Sequence, residues 1–105
     1  NVDLEKKFDS EDYNTKECMK NKINELKEHK EKYASGRVLL NYKENFKDEA
    51  IDIVKSYNLE VEDKGWTMAY FIVKVPENEE IKWVCKLMQY KEIVRVELDI
   101  LRGYA

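Results

Sequence analysis

The chain has 105 residues, 43% of them hydrophobic and 39% charged, with a formal net charge of −3. That length bounds it to one domain, or to a domain of roughly 70 residues with an extension, near the lower limit for a self-sufficient core. The acidic balance argues against nucleic acid as a partner, and no apolar run reaches membrane-spanning length, so no membrane partner is expected either.

Residues 1–14 are polar and acidic without a clear period, a pattern of low ordering tendency. The first residue is Asn1 rather than Met, as in a processed product or an excised piece. From Thr15 to Lys32 the spacing predicts a helix with Met19, Ile23 and Leu26 on one stripe and Lys or Glu almost everywhere else. Such a helix is expected to be mostly solvated and loosely docked. His29 sits on its charged face, and no nucleophile motif accompanies it, so no catalytic residue and no enzymatic activity are expected. Ala34-Ser35-Gly36 reads as a hinge that ends an N-terminal extension, residues 1–36.

The compact domain, residues 37–105, opens with a strand from Arg37 to Tyr42 that places Val38, Leu40 and Tyr42 on one face. Asn45 is positioned to cap a helix with Asp48 in its first turn and Ala50, Ile53, Val54 and Tyr57 as its buried stripe. Asn58 stands where the chain needs a left-handed residue. Leu59–Glu62 reads as a short second strand, Asp63-Lys64-Gly65 as a turn, and Met68–Val75 as a third strand stopped by Pro76. A second helix starts at Glu77 or Asn78 and runs to about Tyr90, with Ile81, Val84, Cys85 and Met88 facing the sheet. Its other patch, Trp83, Leu87 and Tyr90, is a surface that the Met19, Ile23 and Leu26 stripe could cover. Cys18 and Cys85 form no metal or redox motif, and no cofactor or metal is expected. A disulfide between them needs the two helices to pack together; a buried Cys85 thiol is the simpler reading.

The last strand is Ile93–Ile100, in which Val94, Val96 and Leu98 alternate with Ile93, Arg95, Glu97 and Asp99. After it comes the tail Leu101, Arg102, Gly103, Tyr104 and Ala105. A tail held at one end by a strand can be laid in extended form into another protein's cleft, adding a strand there and dropping alternate side chains into pockets. Tyr104 would be the deep anchor, Gly103 would give close backbone approach, and Leu101 a second apolar plug.

The element order is strand, helix, strand, strand, helix, strand. With right-handed crossovers it gives an α+β, ferredoxin-like βαββαβ fold: a four-stranded antiparallel sheet with two helices on one face, plus the N-terminal helix. The other face would then show Leu39, Tyr70, Ile72 and Ile93, bordered by Arg37, Arg95, Glu97 and Asp99. An apolar patch with a polar rim fits a partner surface.

Three segments carry a resemblance: GRVLLNYKENFKDEAIDIVKSYNLEV (36–61), AYFIVKVPENEEIKWVCKLM (69–88) and YKEIVRVELDILRGYA (90–105). In order, spacing and termination they resemble the inhibitor-type prosegments of subtilisin-like serine proteases, over about Gly36 to Ala105. Two positions depart from that pattern, Asn58 where glycine is frequent and Leu98 where proline or an acid is common. The resemblance implies an inhibitor of a subtilisin-like protease, monomeric when free, in the secretory pathway or an extracellular or vacuolar lumen. Leu39, Tyr70 and Ile72 would dock on the protease, Glu97 and Asp99 would receive the N-termini of its surface helices, and Leu101–Ala105 would occupy its cleft. Family length places Ala105 before the cleaved bond, whereas pocket chemistry places Tyr104 there. A severed prosegment that chaperones its own protease is the nearest alternative. A small-molecule-sensing domain would instead show a pairing sheet edge and a ligand pocket. An RNA-binding strand is not supported, since Lys64-Gly65-Trp66 starts the required pattern and Thr67 and Met68 break it.

Overall fold

A computed structural model of the chain describes residues 13–62 and 70–101. In chain order these form α1 (Tyr13–His29), β1 (Lys32–Tyr42), α2 (Lys47–Ser56), β2 (Glu60–Glu62), β3 (Tyr70–Lys74), α3 (Glu80–Leu87) and β4 (Ile93–Leu101). The four strands make one antiparallel sheet in the order β2-β3-β1-β4. The fold is therefore α+β, with a four-stranded antiparallel sheet and three helices, and is compatible with a ferredoxin-like arrangement. The expected turn at 63–65, the start of β3 at Met68 and the tail residues Arg102, Gly103, Tyr104 and Ala105 lie outside the described residues.

Cross-strand register sorts the sheet into two faces, because directly paired residues point the same way. Val38 pairs with Val73 and Leu98, and Leu40 with Phe71 and Val96; all six are buried. Onto this face α2 brings Ala50 and Val54, and α3 brings Trp83, Val84 and Leu87, which closes the core. Tyr42 stacks on Phe71 with ring centroids 5.6 Å apart, so the alternation Val38, Leu40, Tyr42 holds as expected.

The last strand departs from simple alternation. Asn41 pairs with Arg95 but Tyr42 pairs with Ile93, so β4 carries one extra residue, Val94, at a bulge. The bulge returns Ile93 to the core, 5% exposed, and leaves Val94 57% exposed. This reverses the expected positions of both residues: Ile93 is not on the open face, and Val94 does not share the core with Val96 and Leu98.

The segment expected to be a hinge is part of β1. Helix α1 stops at His29, Lys30 turns the chain at φ +52°, and β1 starts at Lys32, pairing Lys32 with Leu101 and Tyr33 with Ile100. Between Tyr33 and Val38 the register slips again, since β1 advances five residues while β4 advances two. Gly36, at φ +80°, occupies the left-handed region that this wide bulge demands.

Helix boundaries also differ from the sequence reading. Asn45 does not cap α2; it takes φ +71° in the preceding turn, and Phe46 stands at the cap position without a side-chain hydrogen bond. Asn78 likewise turns at φ +74° and α3 begins two residues later. Asn58, at φ +62°, does fill the left-handed position after α2. Along α3, Met88 is exposed rather than facing the sheet. Trp83 packs edge-on to Tyr57 at the α2 terminus, 5.1 Å between centroids, so Tyr57 covers part of that patch.

Candidate functional site: an open sheet face beside a free strand edge

All three helices lie on one side of the sheet, and among the described residues no helix packs on the other. Three rows of paired residues cross that face. Lys74 pairs with Arg37 and Glu60; Ile72 with Leu39 and Glu62, and Leu39 in turn with Glu97; Tyr70 with Asn41, and Asn41 with Arg95. The sequence-predicted docking residues Leu39, Tyr70 and Ile72 are thus brought together, each half-buried, in the middle of the face.

Glu97 and Asp99 stand on the β4 margin of the same face, and both are already engaged. Arg37 donates from Nε to Asp99 Oδ2 at 2.7 Å, and Arg95 donates from Nη1 to Glu97 Oε1 at 2.9 Å. These are surface ion pairs, worth about 0–1 kcal/mol each, so a partner can exchange them at little cost. Each carboxylate keeps a second oxygen for an incoming donor.

Next to this face the β1 bulge is clamped from the helix side. Glu80, at the start of α3, is 2% exposed. Its Oε2 accepts from Gly36 N–H at 2.7 Å and from Asn78 N–H at 3.2 Å, with a longer contact from the Ser35 hydroxyl at 3.5 Å. One carboxylate therefore satisfies the peptide N–H of the bulge and one at the helix entry. Gly36 returns its carbonyl to Val75 N–H at 3.0 Å. Burial raises the Tyr33 phenol above its ordinary pKa, and the negative charge of Glu80 raises it further. Sequence reading missed Glu80, because a glutamate in the run Glu77-Asn78-Glu79-Glu80 looks like a solvated helix start.

Helix α1 is firmly attached rather than loosely docked. Cys18 and Cys85 form a disulfide, Met19 and Thr15 are buried, and Gln89 Nε2 donates to Thr15 Oγ1. Leu26 packs against the core at its margin. Between the second half of α1 and β4 runs a groove of about 400 Å³, lined by Lys22, Leu26, Met88, Arg95 and Leu98 among others.

Of the expected cleft tail only Leu101 is described; it ends β4 and is 53% exposed. His29 is the last residue of α1. Among the described residues no group of three or more His, Cys, Asp or Glu could hold a metal ion, and no helix is long and apolar enough to cross a membrane. In comparisons with known proteins, no family model, no curated protein and no solved structure matches the chain.

Proposed function

We propose that this chain is a ferredoxin-like domain of the subtilisin-prosegment type and inhibits a subtilisin-like serine protease. The observation that carries this reading is the shared location of two features: the apolar centre Leu39, Tyr70 and Ile72, and the strand that runs directly into the C-terminal tail. A protease that docks on the open face receives that tail from the margin of the same surface.

In this reading the face supplies most of the binding energy, through Leu39, Tyr70 and Ile72. Glu97 and Asp99 give up their arginine partners to meet the exposed N–H groups of protease surface helices. Residues 101–105 then lie extended in the cleft, with Tyr104 or Ala105 before the scissile position, as a product or slowly turned-over substrate does. The anchored sheet resists release, so turnover is poor. A secretory or extracellular setting belongs to the same proposal, and the disulfide supports it, since such bonds persist in oxidising compartments.

The test is titration of the purified chain against a panel of subtilisin-like proteases with trypsin-like enzymes as controls. Stoichiometric inhibition confined to the first group, lost when residues 101–105 are deleted and the fold is retained, is the expected result. Undiminished inhibition by the truncated chain would refute the cleft-plugging mechanism. A prosegment that chaperones its own protease uses the same surfaces, and accelerated refolding of a denatured protease would distinguish it. The sensing-domain reading is favoured by the β4 edge, which no described strand covers, and by its groove; under it, ligand binding would survive tail deletion.

A further inference from the structure

We infer that the outer edge of β4 is a receptor for an extended strand contributed by a partner protein. Strand β4 terminates the sheet, so among the described residues its outer backbone groups have no strand partner over nine residues. The opposite edge, β2, has three residues among those described, Glu60–Glu62. A long free edge is a template for another chain, and proteins usually shorten, cover or bend it. Here the bulge at Val94 bends one end, and the run Arg95–Leu98 stays in continuous register with β1. Met88, Val94 and Leu101, three of the four large exposed apolar residues described, lie on or beside this edge.

The position of α1 gives the edge its shape. The groove touches Val96, Leu98 and Ile100 from the core face of β4 and Arg95 and Glu97 from the open face, so it lies along the strand's outer side. Its far wall is α1, through Lys22, Glu25 and Leu26. The molecule is 19 Å across its shortest axis. Layers pack roughly 10 Å apart, so three stacked layers would need about 20 Å between outer layer centres alone. Helix α1 therefore lies beside α3 and overhangs the space next to β4, where a fifth strand, about 4.8 Å out, would pass beneath it. A second copy pairing its own β4 here with its helices on the same side would bring its own α1 into occupied space. A bare peptide strand would not.

The side chains set the occupant's chemistry. Alternate residues facing α1 must be aliphatic, to meet Leu26, Met88 and Leu98. Those on the open side face Arg95 and Glu97 in turn. Lys22 is offset by Glu25 at 3.9 Å and Arg95 by Glu97 at 2.9 Å, which leaves Glu31 as the acid of the lining without an ion pair among the described residues. Glu31 adjoins Lys32, which pairs with Leu101, so a strand antiparallel to β4 would begin there with a basic residue.

The test uses the full chain and the synthetic peptide Lys-Val-Thr-Val-Lys-Val-Glu, with amide signals followed by NMR up to millimolar peptide. Saturable shifts and slowed hydrogen exchange at Val96–Ile100, with shifts at Leu26, are expected. A peptide with proline in place of its central valine should not bind. Arg95→Glu should weaken the parent peptide about threefold to fivefold and restore it when the peptide ends in lysine, the effect of one cross-strand charge pair. No shifts at millimolar peptide, shifts confined to Leu39 and Ile72, or binding unaffected by proline would overturn the proposal. So would concentration-dependent self-association that protects the same amides, which would make a second copy the occupant.

Discussion

Gly36 donates its N–H to the buried carboxylate of Glu80 at 2.7 Å across 44 positions of sequence. The bond holds the wide bulge of β1 against the entry of α3, and with it the spacing of β1 and β4. Removing the carboxylate leaves a buried donor without a partner, so Glu80→Ala is expected to cost about 2–3 kcal/mol. Glu80→Gln keeps an acceptor oxygen of the same shape and should cost less. Urea unfolding of both variants checks the order, and equal stability of Glu80→Ala and the parent would remove the clamp from the account.

Tyr33 supplies a pH dependence of definite sign. Burial first, and the charge of Glu80 second, raise its phenol above the ordinary value of about 10. A group whose folded pKa is raised contributes stability that is complete below its unfolded pKa and lost as pH climbs through the folded one. Stability should therefore fall in the alkaline range above about pH 10, and Tyr33→Phe should flatten part of that fall. Unfolding midpoints measured on both sides of that pH, for the parent and the variant, decide it.

The disulfide closes a sequence separation of 67 residues. Chain-entropy reasoning assigns such a closure about 4 kcal/mol. Reduction, or the double change Cys18→Ala and Cys85→Ala, should lower the denaturation midpoint accordingly. Because α1 forms one wall of the β4 groove, amide exchange at Met19 and Leu26 should quicken most.

Leu39 sits half-buried between Ile72 and Glu97 on the open face. Leu39→Lys places a cation beside Glu97 and touches no core residue, so stability should change by no more than about 1 kcal/mol. Protease inhibition should nevertheless weaken by about tenfold or more, since the apolar centre of an interface carries most of its energy. A variant with unaltered inhibition would move the docking surface elsewhere.

Much of the sheet was legible because period-two alternation is a local property. Val38, Leu40 and Tyr42 face the core as read, Leu39, Tyr70 and Ile72 the opposite side, and Asn58 turns left-handed where the chain had to. The bulge at Val94 was not legible, because an inserted residue leaves the apolar pattern unbroken and shows only in the register against β1. The Gly36 bulge did leave a trace, a glycine between apolar strand residues, but serine and glycine together read equally well as a hinge. Glu80 and the cysteine pair depend on partners more than 40 positions away, at 44 and 67, and no local pattern encodes them.

The position of the disulfide also sets how the molecule carries force. The bond joins Cys18 directly to Cys85, so tension applied between the chain ends bypasses β1, α2, β2 and β3. The load falls on β4 and on the hydrogen-bonded ladder that holds it to β1. Pulling on the C-terminus would therefore peel β4 away first, while a covalently enclosed body of three strands, α2 and parts of α1 and α3 is spared the tension.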